Sequence, residues 1–228
     1  MKTCLLVCDH VAPAFEPIDG AYPEMFQKLL PELDLVPYFV CDGHLPAIDE
    51  FDHYICTGSK CSVYDDEDWI HKLLSFTERL AGTGKKFVGI CFGHQLIAQA
   101  LDGEVTPAPA GWNIGVHEFT VGKEKLWMTP ANPQFNIVML CQDQVSLLPS
   151  DAEVLAQSKV CPVGMFQIGE EFLAIQGHPE FSKTYNQAVY TSRVERIGSE
   201  KVMAADHSLK KNLDQSLLRS WMMNFLKS

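Results

Sequence analysis

Short β-branched runs alternate with helix-spaced apolar positions through the first half of the chain, the pattern of a parallel sheet covered by helices. Residues 3–8, 35–41, 53–57 and 86–90 read as strands. Between the third and fourth, Trp69, Leu73, Leu74, Phe76 and Leu80 recur at helical spacing behind the acidic turn Asp66-Glu67-Asp68, with Gly82 and Gly84 beyond them. The acids complement the positive end of a helix and the glycines stop it, so this stretch predicts one β-α-β unit.

In the second half the rhythm changes. Apolar runs at 115–121, 135–141, 153–158, 163–168 and 172–176 are separated by turn residues instead of long helices, which predicts that some of these strands are antiparallel. Helices return from 183 to about 197 and over 213–226, where Leu217, Leu218, Trp221, Met222 and Phe225 form one stripe. With no repeat, low-complexity tract or long linker among 228 residues, the expectation is one α/β domain over 1–228, a central mostly parallel sheet flanked by helices.

Composition narrows the function. Hydrophobic residues make up 46% and charged residues 21%, which excludes a disordered chain. A net charge of −11, from 18 basic against 29 acidic residues, argues against nucleic acid as a partner. The apolar stretch after Met1-Lys2 is too short for a secretion signal and no later run reaches membrane-spanning length, so a cytosolic protein is expected. The eight cysteines show no paired C-x-x-C spacing and are expected to be reduced, most of them as small core hydrophobes. Cys8-Asp9-His10 is the nearest approach to a ligand cluster, and no metal is expected there.

The strongest local signal follows the strand at 86–90. Gly89-Ile90-Cys91-Phe92-Gly93 leads from that strand into a helix, the arrangement of a nucleophile elbow with cysteine in place of serine. Gly89 and Gly93 fit because a Cβ at either position would crowd the turn, and the elbow predicts an exposed sulfur at Cys91. A helix N-terminus beneath it favours the thiolate, which is the nucleophilic form.

Such a nucleophile needs a base. His178 follows the strand at 172–176, and Glu180 stands two residues on across Pro179, where extended backbone turns both side chains the same way. Elbow and histidine, each beyond the carboxyl end of a strand, can meet in one crevice of an α/β sheet. The attacked carbonyl also needs donors for its oxyanion: the Phe92 N–H and the turn Gly58-Ser59 after the strand at 53–57 are the candidates.

Gly89 to Gln95 together with Gln176-Gly177-His178-Pro179-Glu180 resembles the class I (triad) glutamine amidotransferase family, over nearly the whole chain. Within it the chain is most similar to stand-alone GMP-synthase-like amidotransferases and plant γ-glutamyl peptidases, through Gly58-Ser59, Ser62 to Asp65, Asp68 to Ile70 and the Gln142-Asp143-Gln144-Val145 segment. The resemblance implies a flavodoxin-like α/β fold and a γ-glutamyl thioester on Cys91, with His178 as base and Glu180 as its partner. It also implies Gln95, Gln142 and Asp143 at the substrate. The chain departs from the family pattern at Gly58-Ser59-Lys60, where many members have Gly-Gly-Pro, and at Leu140-Cys141, where many have Ser-His.

Three functions remain open from sequence. One is a glutamine amidotransferase; lacking a P-loop, it would deliver ammonia to a synthetase on a separate chain. Another is a γ-glutamyl peptidase acting on glutathione-like peptides, which differs only in the room beyond the scissile bond. The third is a non-catalytic binding protein on the same fold. Neither hydrolase requires a cofactor, because thiolate and imidazole break the bond themselves.

Overall fold

Strand β1 (Lys2–Val7) buries five consecutive residues, and its side chains divide cleanly between two apolar layers. Leu5 and Val7 join a core built from one face of the sheet, while Cys4 and Leu6 join the core on the other. That division follows from the two-residue period of a strand and requires helices on both sides. The computed structural model describes all 228 residues, and it supplies them.

The remaining strands are β2 (Asp34–Phe39), β3 (His53–Cys56), β4 (Lys86–Ile90), β5 (Glu104–Pro107), β6 (Asn113–Val121), β7 (Gln134–Cys141), β8 (Asp143–Leu147), β9 (Ala152–Gln157), β10 (Met165–Ile168) and β11 (Phe172–Ile175). Nine of the eleven form one sheet in the order β2-β1-β3-β4-β11-β10-β9-β6-β7. The first five are mutually parallel, in flavodoxin-like order. From β11 onward every pairing is antiparallel, as the turn-rich second half predicts.

The helices are α1 (Glu16–Asp19), α2 (Tyr22–Leu29), α3 (Asp68–Leu80), α4 (Phe92–Ala100), α5 (Lys183–Ser192), α6 (Val194–Ile197), α7 (Ser199–Ser208) and α8 (Gln215–Lys227). Helices α3 and α4 cover one face through Ile70, Leu73, Leu96 and Ile97. On the other face lie α2, α5 and α8, through Phe26, Val189, Trp221 and Phe225. No helix is long and apolar enough to cross a membrane.

Four expectations need correction. The helix expected from 183 to about 197 breaks at Arg193, which adopts φ −108°, ψ 16°. At the break the Ser192 hydroxyl donates to the Val189 carbonyl, the acceptor that the Arg193 N–H would use in a continuing helix, and that N–H turns to Tyr190 and Thr191. Helix α2, with Tyr22, Met25, Phe26 and Leu29 buried on one stripe, and α7 were not anticipated. Neither was the separate β5–β8 ribbon, whose short strands lack strong alternation. The strand expected at 163–168 begins only at Met165.

Candidate active site

Four loops at the carboxyl edge of the parallel strands converge: those after β1, β3, β4 and β11. The loop after β4 is a single residue. Cys91 takes φ 52°, ψ −98°, a conformation L-residues avoid, and caps α4. The backbones on either side are packed too tightly for side chains. A Cβ on Gly89 would lie 2.3 Å from the Gly93 carbonyl oxygen, and one on Gly93 would lie 2.7 Å from that of Cys56. Phe92 opens the helix, so its N–H has no intrahelical acceptor.

The sulfur is not exposed as the elbow alone suggests. Cys91 is only 5% accessible because the turn after β3 and the His178 segment close over it; one side meets the apolar core and the other lines a small cavity. His178 does not continue β11, which ends at Ile175. Its N–H donates to the Val138 carbonyl at 2.9 Å, and this single bridge to β7 fixes where the ring sits.

Nδ1 of His178 lies 2.7 Å from Glu180 Oε1, and both side chains are buried. Phe181 stacks on the ring at 4.1 Å between centroids and 7° between planes, so the imidazole is held in both position and tilt. Its Nε2 has no hydrogen-bond partner of the ordinary kind. Burial opposes a charge here, but the Glu180 carboxylate and the neighbouring Cys91 sulfur more than offset it, and the His178 pKa is pushed up to about 10.

Gly58 and Ser59 stand beside these groups, and their N–H groups make no hydrogen bond within the protein. The next amide, Lys60, donates to Asp9 Oδ2 at 3.0 Å while the Lys60 ammonium meets Oδ1 at 2.9 Å, so Asp9 in the β1 loop clamps the turn. Sequence reading missed this clamp, since the two residues are distant along the chain.

Gln95 is buried and committed: its Nε2 donates to the Asp143 carbonyl at 2.9 Å and to Gln176 Oε1 at 3.1 Å. The Asp143 carboxylate accepts from the hydroxyls of Ser62 at 2.5 Å and Tyr64 at 3.0 Å. Gln142 Oε1 accepts from Arg196 at 3.4 Å. Cys91, Gln95, Gln142 and Asp143, with Ser59, all wall the same cavity of about 60 Å³; Gly58 and Phe92 do not line it. Cys141 lines it too, with burial as the main cause of a thiol pKa far above the ordinary value. His94 of the elbow motif turns away, edge-on to Phe166, and burial lowers its pKa to about 3.

Cys8, Asp9 and His10 do not converge. Cys8 is buried against Cys56 with the sulfurs 3.3 Å apart, Asp9 holds Lys60, and His10 faces Asp42 at 3.0 Å. His10 meets Cys41 and Asp42 instead, with ligand atoms within 4.8 Å of one another, but His10 and Asp42 are exposed and already paired.

Residues 27–195 match the family described as Glutamine amidotransferase class-I. The chain belongs to that family. Among curated relatives of this amidotransferase-family chain, γ-glutamyl peptidase 3 of Arabidopsis thaliana is 34% identical over 206 residues, covering 82% of this chain and 80% of that one. γ-Glutamyl peptidase 4 of the same plant is 34% identical over 227 residues, covering 91% and 88%. A crystal structure of a glutamine amidotransferase from Thermotoga maritima superposes with a TM-score of 0.77 over 99% of this chain and 98% of that one, at 18% identity. That likeness is one of fold. Outside the expected site residues, sequence reading overlooked Arg193 and Trp112, which also line the small cavity; an arginine near a helix end carries no local signature.

Proposed function

We propose that the chain is a cysteine hydrolase of γ-glutamyl amide bonds, with Cys91 as nucleophile, His178 as acid and base, and Glu180 as the residue that orients His178. The observation that carries this reading is the 2.7 Å bond from Nδ1 to Glu180, which leaves Nε2 unpartnered next to a cysteine strained at the head of a helix. Family membership and the peptidases among its relatives support the γ-glutamyl group as the acyl part.

The raised His178 pKa keeps the imidazolium at neutral pH beside the Cys91 sulfur. The Cys91 thiolate attacks the γ-carbonyl carbon, and the oxyanion that forms lies near the Phe92 N–H and the unengaged amides of Gly58 and Ser59. Collapse breaks the C–N bond while Nε2 of His178 gives its proton to the departing nitrogen, leaving a γ-glutamyl thioester. Water, deprotonated by the now neutral His178, attacks the thioester. The C–S bond breaks, the thiolate returns, and glutamate is released.

The test is to incubate the purified chain with glutamine and, separately, with γ-glutamyl dipeptides, following glutamate, ammonia and the second amino acid. Release of glutamate that vanishes in Cys91→Ser supports the reading. Stable substrates with the wild-type chain would favour a binding protein, or an amidotransferase active only with its synthetase.

A further inference from the structure

Two compartments meet at the candidate triad. The small cavity contains Cys91 in its wall, whereas a second one of about 310 Å³ contains His178, Phe181, Tyr22 and Val11. Ser59, Lys60, Leu140 and Arg193 line both. On the mechanism proposed above, on which this inference rests, the acyl carbon bonds to Cys91 and the departing nitrogen takes its proton from His178. The acyl carbon therefore lies at the Cys91 wall and the departing nitrogen on the His178 side, where the larger compartment opens. Ammonia needs no space of that size; about 300 Å³ is the lower end of volumes that hold small ligands.

The charges of the larger compartment are nearly all spoken for. Lys60 is paired with Asp9, and His10 with Asp42. Arg193 is the exception: half-buried, it leans on Trp112 at 5.7 Å from the ring centroid and pairs with no carboxylate. Arg196, on the same ring at 5.1 Å but lining only the small cavity, adds positive charge beside it. In a chain of net charge −11, a guanidinium that lines both compartments and pairs with no carboxylate can receive an anion. Arg193 stands at the break between α5 and α6. Val11, Phe15, Phe181 and Val189 make much of the rest of the wall apolar.

We infer that the larger compartment receives the residue beyond the scissile bond, and that Arg193 binds that residue's free carboxylate. The favoured substrates are then γ-glutamyl peptides ending in an apolar amino acid with an unblocked carboxyl group.

The experiment compares kcat/KM for γ-glutamyl-leucine and γ-glutamyl-leucinamide, which share the scissile bond and differ in the terminal charge. The wild-type chain is expected to prefer the free acid by roughly tenfold to a hundredfold, the range of a charge-assisted hydrogen bond. Arg193→Gln should bring the ratio toward unity, mainly through KM for the acid, and Arg193→Lys should restore part of it. Equal rates on acid and amide in the wild type overturn the inference, as does a preference that survives Arg193→Gln. Should Arg193→Gln not fold, the wild-type ratio alone decides. Turnover of glutamine with neither dipeptide cleaved overturns this inference and leaves the hydrolase reading standing; no turnover of any γ-glutamyl compound overturns both.

Discussion

A Cβ on Gly58 would stand 2.8 Å from Cε1 of His178, closer than a carbon can approach without displacing the ring, and 3.6 Å from the Cβ of Cys91. The turn after β3 thus presses bare backbone against both His178 and Cys91. This explains how a chain with Gly58-Ser59-Lys60 in place of Gly-Gly-Pro still presents free amides next to Cys91: the requirement is the missing side chain at Gly58, and Asp9 holds the remainder of the turn.

Gly58→Ala should push the imidazole out of line with the sulfur. Misplacement by about an ångström costs roughly a hundredfold in rate, so kcat should fall by about that much, and overpacking the buried ring should lower stability by about 1–3 kcal/mol. Steady-state kinetics and a thermal melt on the same sample check both. Full activity would mean that the ring position is not critical.

The His178–Glu180 pair makes a prediction about pH. The folded pKa of His178, about 10, lies above the ordinary 6.5, so the protonated ring contributes stability in full below pH 6.5 and that contribution is lost as the pH rises through about 10. Activity that needs the imidazolium should show an alkaline limb in the same region. Glu180→Gln removes the largest cause of the raised value, so the limb should move to lower pH in a kcat/KM profile. The gap in unfolding free energy between wild type and variant should also shrink on the alkaline side. A limb that stays in place would contradict the pairing.

Gln95→Met tests whether Gln95 acts through its neighbours. It removes two buried hydrogen bonds, to the Asp143 carbonyl and to Gln176, and should lower stability by about 1–3 kcal/mol in urea unfolding. With β8 no longer anchored at Asp143, KM should rise more than kcat falls. A variant as stable as wild type would show that these bonds are replaced by water.

The elbow, the His178-Pro179-Glu180 segment and the α/β class were legible because each rests on residues close in sequence. The spacing of Gly89, Cys91 and Gly93 encodes one turn, and an i, i+2 relation encodes the bond between His178 and Glu180. Contacts made by the fold were not legible: Asp9 to Lys60, Gln95 to Asp143, and Cys91 closed over by the β3 turn all depend on strands brought together from distant parts of the chain. The break at Arg193 was missed for another reason. A serine bonding back to its own helix competes with helix continuation by a small margin that periodicity does not register.

Turnover through a covalent bond to Cys91 can be caught directly. Acid-quenching the chain during turnover of γ-glutamyl-leucine, followed by mass spectrometry of the intact protein and its peptides, measures that bond. A γ-glutamyl adduct is expected on the peptide containing Cys91 alone, absent from Cys91→Ser together with all turnover. Continued hydrolysis by Cys91→Ser, or an adduct on a different cysteine, would contradict it.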